Sequence, residues 1–362
     1  MRVRGYIQAD SRFYLADSGA RATNGFEVRR ARPIVEATVS KYFDFRIMPD
    51  FGEGKTQLMD AYADLRLRPQ AVLRAGKFKP PLGLERLQSA ADLTFAERGV
   101  PTNLVPNRDV GLELYGELAD GVLSYAAGVF DGIQDLGTND GDRSDAKDVV
   151  ARLFARFGGL GLGIAASAGN EAGSAGSPAL PSYRTAGQQT LFSYRSDGTA
   201  AGTAVAEGLR RRVVPQGYFY SGSLGLLWEY AASRQRVRLG DSLATLTHRA
   251  WQVAGSVVLT GERASYRGVT PRHPFDADAN TWGAVELAAR YGELLLDRDA
   301  FPTFADPAKS AAGGRSWAVG VNWYLARGVR LEANYERTSF ADAGAGPRRP
   351  EHFLVTRMQV GI

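Results

Sequence analysis

Hydrophobic and polar positions alternate with a period of two along most of the chain. That spacing separates the two faces of a strand, whereas a helix would mix them. In 57–68, Asp60, Tyr62, Asp64, Arg66 and Arg68 fall on one side, and Met59, Ala61, Ala63, Leu65 and Leu67 on the other. In 329–338, Arg330, Glu332, Asn334 and Glu336 oppose Val329, Leu331, Ala333 and Tyr335. The same alternation marks 108–118, 250–260 and the final residues, where Arg357 and Gln359 oppose Met358 and Val360. It predicts sixteen strands, at 2–16, 25–40, 42–51, 57–68, 71–79, 107–118, 121–131, 146–158, 160–169, 207–220, 224–238, 247–260, 282–296, 314–326, 328–341 and 352–362.

The connections alternate in length. Short ones fall at Ser40-Lys41, Pro69-Gln70, Asp120-Gly121, Gly158-Gly159, Ser221-Gly222-Ser223 and Arg327-Gly328. Long polar ones fall at 17–24, 80–106, 131–145, 169–206, 297–313 and 342–351. Short turns at one end, long loops at the other and an even strand count are the pattern of an outer-membrane barrel. The strands also exceed the ~5–6 residues usual in globular sheets. The fold expected is therefore all-β: a sixteen-stranded antiparallel transmembrane β-barrel, one domain over 1–362. The connection 261–281 misfits, because parity puts it among the short turns. Aromatic residues near strand ends, among them Tyr218, Phe219, Tyr220, Trp228, Tyr230, Trp251, Trp282, Trp317, Trp323, Tyr324 and Tyr335, suit an interfacial girdle.

One segment breaks the period. After Pro80-Pro81, Leu84, Leu87, Ala91 and Phe95 follow at helix-like spacing. An insert this long inside a barrel narrows the channel by folding inward, or else serves as an external lid or subunit latch.

Composition limits the chemistry. The 362 residues include no cysteine, which excludes disulfides, a thiol nucleophile and Cys-ligated metals. The only histidines are His248, His273 and His352. The net charge is only +5, yet of 44 basic residues just six are lysine. Arginine stays charged and presents a planar fork of donors matched to phosphate oxygens. Parity places Arg30, Arg32, Arg66, Arg68, Arg152, Arg156, Arg290, Arg330 and Arg357 on the lumen face, and Lys77 and Lys79 are placed there with them. At least one of Arg210, Arg211 and Arg212 must join them. Asp60, Asp64, Glu113, Glu286 and Glu332 are expected to hold arginines in fixed orientations. Two roles are open to each arginine: an anion site, or a mutually paired lumen residue without selectivity. A GC-rich genome is a second source of the arginine bias.

The run Arg74-Ala75-Gly76-Lys77-Phe78-Lys79-Pro80-Pro81-Leu82-Gly83-Leu84-Glu85-Arg86, with Asp92-Leu93-Thr94-Phe95-Ala96-Glu97-Arg98 and Val105-Pro106-Asn107-Arg108-Asp109-Val110-Gly111, resembles the phosphate- and polyphosphate-selective porins of Gram-negative outer membranes. So do Phe26-Glu27-Val28-Arg29-Arg30-Ala31-Arg32, Gly225-Leu226-Leu227-Trp228-Glu229-Tyr230 and Trp317-Ala318-Val319-Gly320-Val321-Asn322-Trp323-Tyr324. The resemblance implies passive diffusion of phosphate or polyphosphate, a homotrimer, and a third long loop, here 80–106, folded into the lumen as a constriction. The surroundings implied are outer-membrane lipid and lipopolysaccharide. No cofactor and no nucleic acid are expected. The chain departs from the usual terminal aromatic by ending Gln359-Val360-Gly361-Ile362.

The nearest rival is a general or sugar-type porin, which needs an aromatic slide along the lumen. Most aromatics here read onto the lipid face. A hydrolase would need a nucleophile near His248, and no such motif accompanies it. A soluble β-protein is the third alternative. Rossmann and P-loop fingerprints are absent, because Gly159-Leu160-Gly161-Leu162-Gly163 reads as strand with no helix after it.

Overall fold

A computed structural model describes residues 1–15, 23–141, 145 and 147–362. Sixteen long strands close into one antiparallel barrel. They are β1 (Arg2–Tyr14), β2 (Gly25–Thr38), β3 (Phe43–Asp50), β4 (Gln57–Arg68), β5 (Ala71–Phe78), β6 (Asp109–Leu118), β7 (Leu123–Phe130), β8 (Asp148–Phe157) and β9 (Leu160–Ala172), then, after a small hairpin of β10 (Ser182–Arg184) and β11 (Thr190–Ser193), β12 (Val205–Ser221), β13 (Leu224–Leu239), β14 (Ser242–Val258), β15 (Ala284–Leu295), β16 (Gly313–Ala326), β17 (Val329–Ala341) and β18 (Glu351–Gly361). β1 closes on β18, with Gln8 opposite Gln359 and Asp10 opposite Arg357. Closure pairs the first strand with the last and leaves no open edge to lipid. Among the described residues no helix is long and apolar enough to cross a membrane.

Most strand bounds fall within a few residues of the sequence expectation. Residues 17–22 of the expected connection 17–24, the last residue of the 2–16 strand, the first residue of the 146–158 strand and part of 131–145 lie outside the described residues. Two connections differ from expectation. The stretch 239–246 is not a loop: β13 and β14 run on through it, with Leu239 opposite Ser242 across the turn. Gly240 at φ 54° permits that two-residue reversal. Conversely, 259–283 is long although it joins β14 and β15 at the short-turn end. It turns back into the barrel mouth, where Ala264 and Val269 pack on Val258, Ala284 and Tyr324.

The lumen is not an open cylinder. The connections 79–108, 173–204 and 296–312 fill one side with an apolar core. Leu82, Leu104, Val105, Leu191, Phe192 and Phe304 pack there on inward residues of β7–β9 and β12–β15, including Phe130, Val150, Val214 and Leu246. This filling explains a second correction. The tryptophans on strands follow the lipid parity, as in the direct pairs Trp228–Val253 and Trp323–Leu331. However, Tyr218, Tyr220 and Tyr324 point inward, as do Tyr6, Tyr62, Phe78, Phe130, Phe154 and Phe353. Many of them pack on the loops inside, for instance Tyr218 on Tyr266 and Leu84.

Candidate functional site: the lumen and its inward loop

The connection 79–108 lies inside the barrel, with Leu82, Leu93, Ala96, Leu104 and Val105 fully buried. Its backbone is tied to the wall by side chains from many strands. Gln8 and Gln359 donate to the carbonyls of Ala90 and Ala91, each at 3.0 Å. Arg330 donates to Leu93 O at 2.6 Å and Arg357 to Ala96 O at 2.6 Å. Arg290 donates to Glu97 O at 2.9 Å, and Asn334 accepts from Ala96 N at 2.6 Å. On the far wall, Glu229 accepts from Leu84 N at 2.7 Å. These bonds supply the loop's buried polar groups with partners they would otherwise lack.

The sequence-selected arginines therefore divide into groups. Arg290, Arg330 and Arg357 each hold a loop carbonyl and a carboxylate, Glu336, Glu332 and Asp10 respectively. Arg30 donates to Gln8 and lies 3.6 Å from Glu97. Arg32 faces the lumen, bonded to Asp50 at 2.7 Å and to Tyr6 Oη at 2.9 Å. Arg66 and Arg68 are exposed at the short-turn rim, Arg66 pairing with Asp44. Arg152 points inward over Phe154, while Arg156 pairs with Glu117 near the turn. Asp60 holds Arg46 and Arg108, and Asp64 holds Arg74. Among the described residues, Glu113 holds no arginine: it is buried, makes no ion pair, and its Oε2 has no partner.

Lys77 is a correction. It stands directly opposite Ala61 and Val110, on the outward parity, where its ammonium pairs with Asp140 of the connection 131–147. The inward residues of β5 are Val72, Arg74, Gly76 and Phe78. Phe78 packs edge-on against Tyr62 and Phe130, so an apolar side chain takes the lumen position that charge was expected to hold. Lys79, just past the strand, does enter the lumen. It donates to Leu87 O and Gln88 O at 3.1 and 2.8 Å.

Opposite the apolar filling, a cavity of about 960 Å³ opens toward the short-turn end. Its lining carries Arg2, Arg4, Arg32, Arg46, Arg74, Lys79, Arg108, Arg267, Arg327 and Arg330 against only Asp60 and Asp92. Among the described residues, Arg2, Lys79, Arg267 and Arg327 have no ion-pair partner. At the loop itself, Lys79, Arg86, Arg98 and Arg108 crowd together; Asp60 is the opposing charge for Lys79 and Arg108, Glu85 for Arg98, and Glu229 with Glu85 for Arg86. Burial and the neighbouring Arg108 and Arg98 push the Lys79 ammonium well below the usual lysine range. Burial, and then Arg108 and Arg32 against the opposing pull of Glu85, bring Arg98 down to about 10. Mutually repelling buried cations are poised to gain from an anion.

Several of these residues escaped the sequence reading. Arg29 turns inward at a bulge where the register slips between Gln8 and Ala9, so Arg29 and Arg30 share a face that strict alternation would split. Arg86, Arg98 and Arg108 lie on the irregular loop, where parity has no meaning. Arg267 enters from 259–283, the connection whose excess length was the visible signal. That connection grips the inward loop: Tyr266 Oη donates to Leu84 O at 2.5 Å, and Gln88 donates to Tyr266 O at 2.6 Å. Replacing 261–281 by a two-residue turn is expected to raise single-channel conductance in planar bilayers. An unchanged conductance would show that this connection does not narrow the path.

The whole chain, residues 1–362, matches the family described as phosphate-selective porin O and P. No curated protein matches the sequence. Solved structures share the fold at low identity. An anion-selective porin from Comamonas acidovorans aligns with TM-score 0.64 at 10% identity, over 100% of this chain and 99% of that one. The trimer form of in-vitro folded OmpT from Vibrio cholerae gives 0.59 at 10%, over 100% and 98%. The outer membrane channel DcaP of Acinetobacter baumannii gives 0.61 at 10%, over 100% and 96%. The closed barrel is thus a channel of the outer membrane rather than an enzyme, and by its full-length match the chain belongs to the phosphate-selective porin O and P family.

Proposed function

We propose that this channel passes phosphate or polyphosphate by passive diffusion, with the connection 79–108 as its constriction. The carrying observation is the imbalance of charge in the cavity beside that loop, ten cations against Asp60 and Asp92. An anion entering a narrow path loses water, and fixed guanidinium and ammonium donors replace it. Several moderate sites at successive depths suit conduction, since each must bind well enough to admit the ion and weakly enough to release it. Arg267, Arg327, Arg4 and Arg2 gather anions at one mouth; Arg32, Arg108 and Lys79 receive them at the narrowing. The wall arginines Arg30, Arg290, Arg330 and Arg357 act mainly by fixing the loop, since Arg290, Arg330 and Arg357 each bond a loop carbonyl and Arg30 lies beside Glu97. Assembly as a homotrimer accords with the trimer form recorded for the Vibrio cholerae OmpT neighbour.

The test is a reversal-potential measurement across a potassium chloride gradient, followed by phosphate titration at low chloride. The expected result is anion selectivity with phosphate reducing the chloride current. Anion selectivity without a phosphate effect would leave a general anion pore, and cation selectivity would overturn the reading.

A further inference from the structure

The outer wall carries a charged patch that the pore does not use. β12, β13 and β14 are 17, 16 and 17 residues long, whereas β5 and β7 have 8 each. At about 3.3 Å per residue and a tilt near 45°, a strand of that greater length climbs roughly 40 Å, some 15 Å beyond the ~25 Å apolar band of such barrels. The surplus lies at the long-loop end, the cell-surface end in barrels of this kind. It rises above an outward aromatic row in which Tyr230 stands directly opposite Trp251.

Four arginines occupy the outward parity just above that row. Arg249 lies two residues from Trp251 on β14, Arg234 and Arg236 continue β13 beyond Tyr230, and Arg211 on β12 stands directly opposite Arg234. All four are exposed, and none of their guanidinium groups has an ion-pair or hydrogen-bond partner among the described residues. The nearby carboxylates are engaged elsewhere: Glu207 pairs with Arg238, and Glu293 pairs with Arg315 and accepts from Trp251. Like charges directly opposite each other weaken a strand pair. Clustered guanidinium groups above an aromatic belt lie at headgroup height, and their forks match phosphate oxygens.

We propose that Arg211, Arg234, Arg236 and Arg249 form a docking site for the phosphorylated headgroup of an outer-leaflet glycolipid of the lipid A class. Its acyl chains would run down the apolar face below, over Val213, Phe219 and Val253, all exposed on the same wall.

The test compares the whole protein with a variant carrying R211Q, R234Q, R236Q and R249Q. Retention of bis-phosphorylated lipid A is read by native mass spectrometry from mixed micelles. We expect retention to fall at least tenfold in the variant while conductance is unchanged, and dephosphorylated lipid A to be retained by neither protein. Restoring lysine at the four positions should recover much of the binding. Equal retention by both proteins, equal retention of dephosphorylated lipid A, or equal retention of cardiolipin would overturn the proposal. So would displacement by millimolar inorganic phosphate, which would mark a free-anion site. If the fourfold variant does not fold, the pair R211Q and R234Q is compared in its place and is expected to lose severalfold.

Discussion

Lys79→Gln is expected to weaken phosphate block of the chloride current roughly 10–100-fold, the effect of losing one charge-assisted hydrogen bond of ~1.5–3 kcal/mol. The ammonium sits at the narrowing with no carboxylate of its own, bonded only to two carbonyls. Its charge is therefore available to an ion in transit, whereas that of Arg74 is neutralised by Asp64. Lys77→Gln is the matched control. Its ammonium faces the outer wall toward Asp140, so phosphate block should not change. The two substitutions remove the same charge two residues apart, and a shared phenotype would refute the assignment of faces.

A pH profile extends this test. Burial and neighbouring arginines favour the neutral form of Lys79, so its charge is lost on raising the pH before ordinary lysines titrate. Anion block should then weaken over the range in which Lys79 loses its charge, below that of ordinary lysines. Sulfate is the appropriate probe, because its charge is constant there while that of phosphate rises. By linkage, a bound anion favours the charged amine, so the midpoint should move upward as sulfate is added. Lys79→Arg should flatten the profile, and a slope unchanged in that variant would assign the titration to another group.

The wall was legible in the sequence because a lipid-facing surface must be apolar at every second residue, and that demand fixes strand number and parity together. Arg32, Arg290, Arg330 and Arg357 could be placed inward on this rule alone. What parity could not supply was the interior. Once the loops fill half the lumen, inward residues need not be polar, so Phe78 displaces charge and Tyr218, Tyr220 and Tyr324 point in. A single bulge at Arg29 shifts alternation without a residue-level signal. The cations nearest the narrowing, Arg86, Arg98 and Arg108, stand on a segment without period. Their location follows from long-range bonds, such as Arg108 to Asp60 at 2.9 Å, that no local pattern encodes.

One carboxylate is the keystone of the inward loop. Glu97 accepts from Arg12 and Arg29, each at 2.6 Å, and lies 3.6 Å from both Arg30 and Arg357. Burial would raise this carboxyl, but Arg29, Arg30 and Arg12 hold it well below its ordinary value. Glu97→Gln keeps the shape and one acceptor while leaving these guanidinium groups short of a counter-charge. Breaking a buried ion pair costs about 3–5 kcal/mol. The barrel itself is closed by strands and should persist, so the loss should appear as detachment of the loop around 95–98. We expect two linked changes: a lower temperature for the heat-induced mobility shift on electrophoresis, and a severalfold larger, noisier single-channel conductance. Anion selectivity should rise, since the lumen gains net positive charge. Adding Arg12→Gln removes one of the stranded cations and should recover part of both losses, a coupling that independent sites would not show. A conductance and a transition temperature both equal to those of the parent would show that the wall carbonyl bonds hold the loop without Glu97.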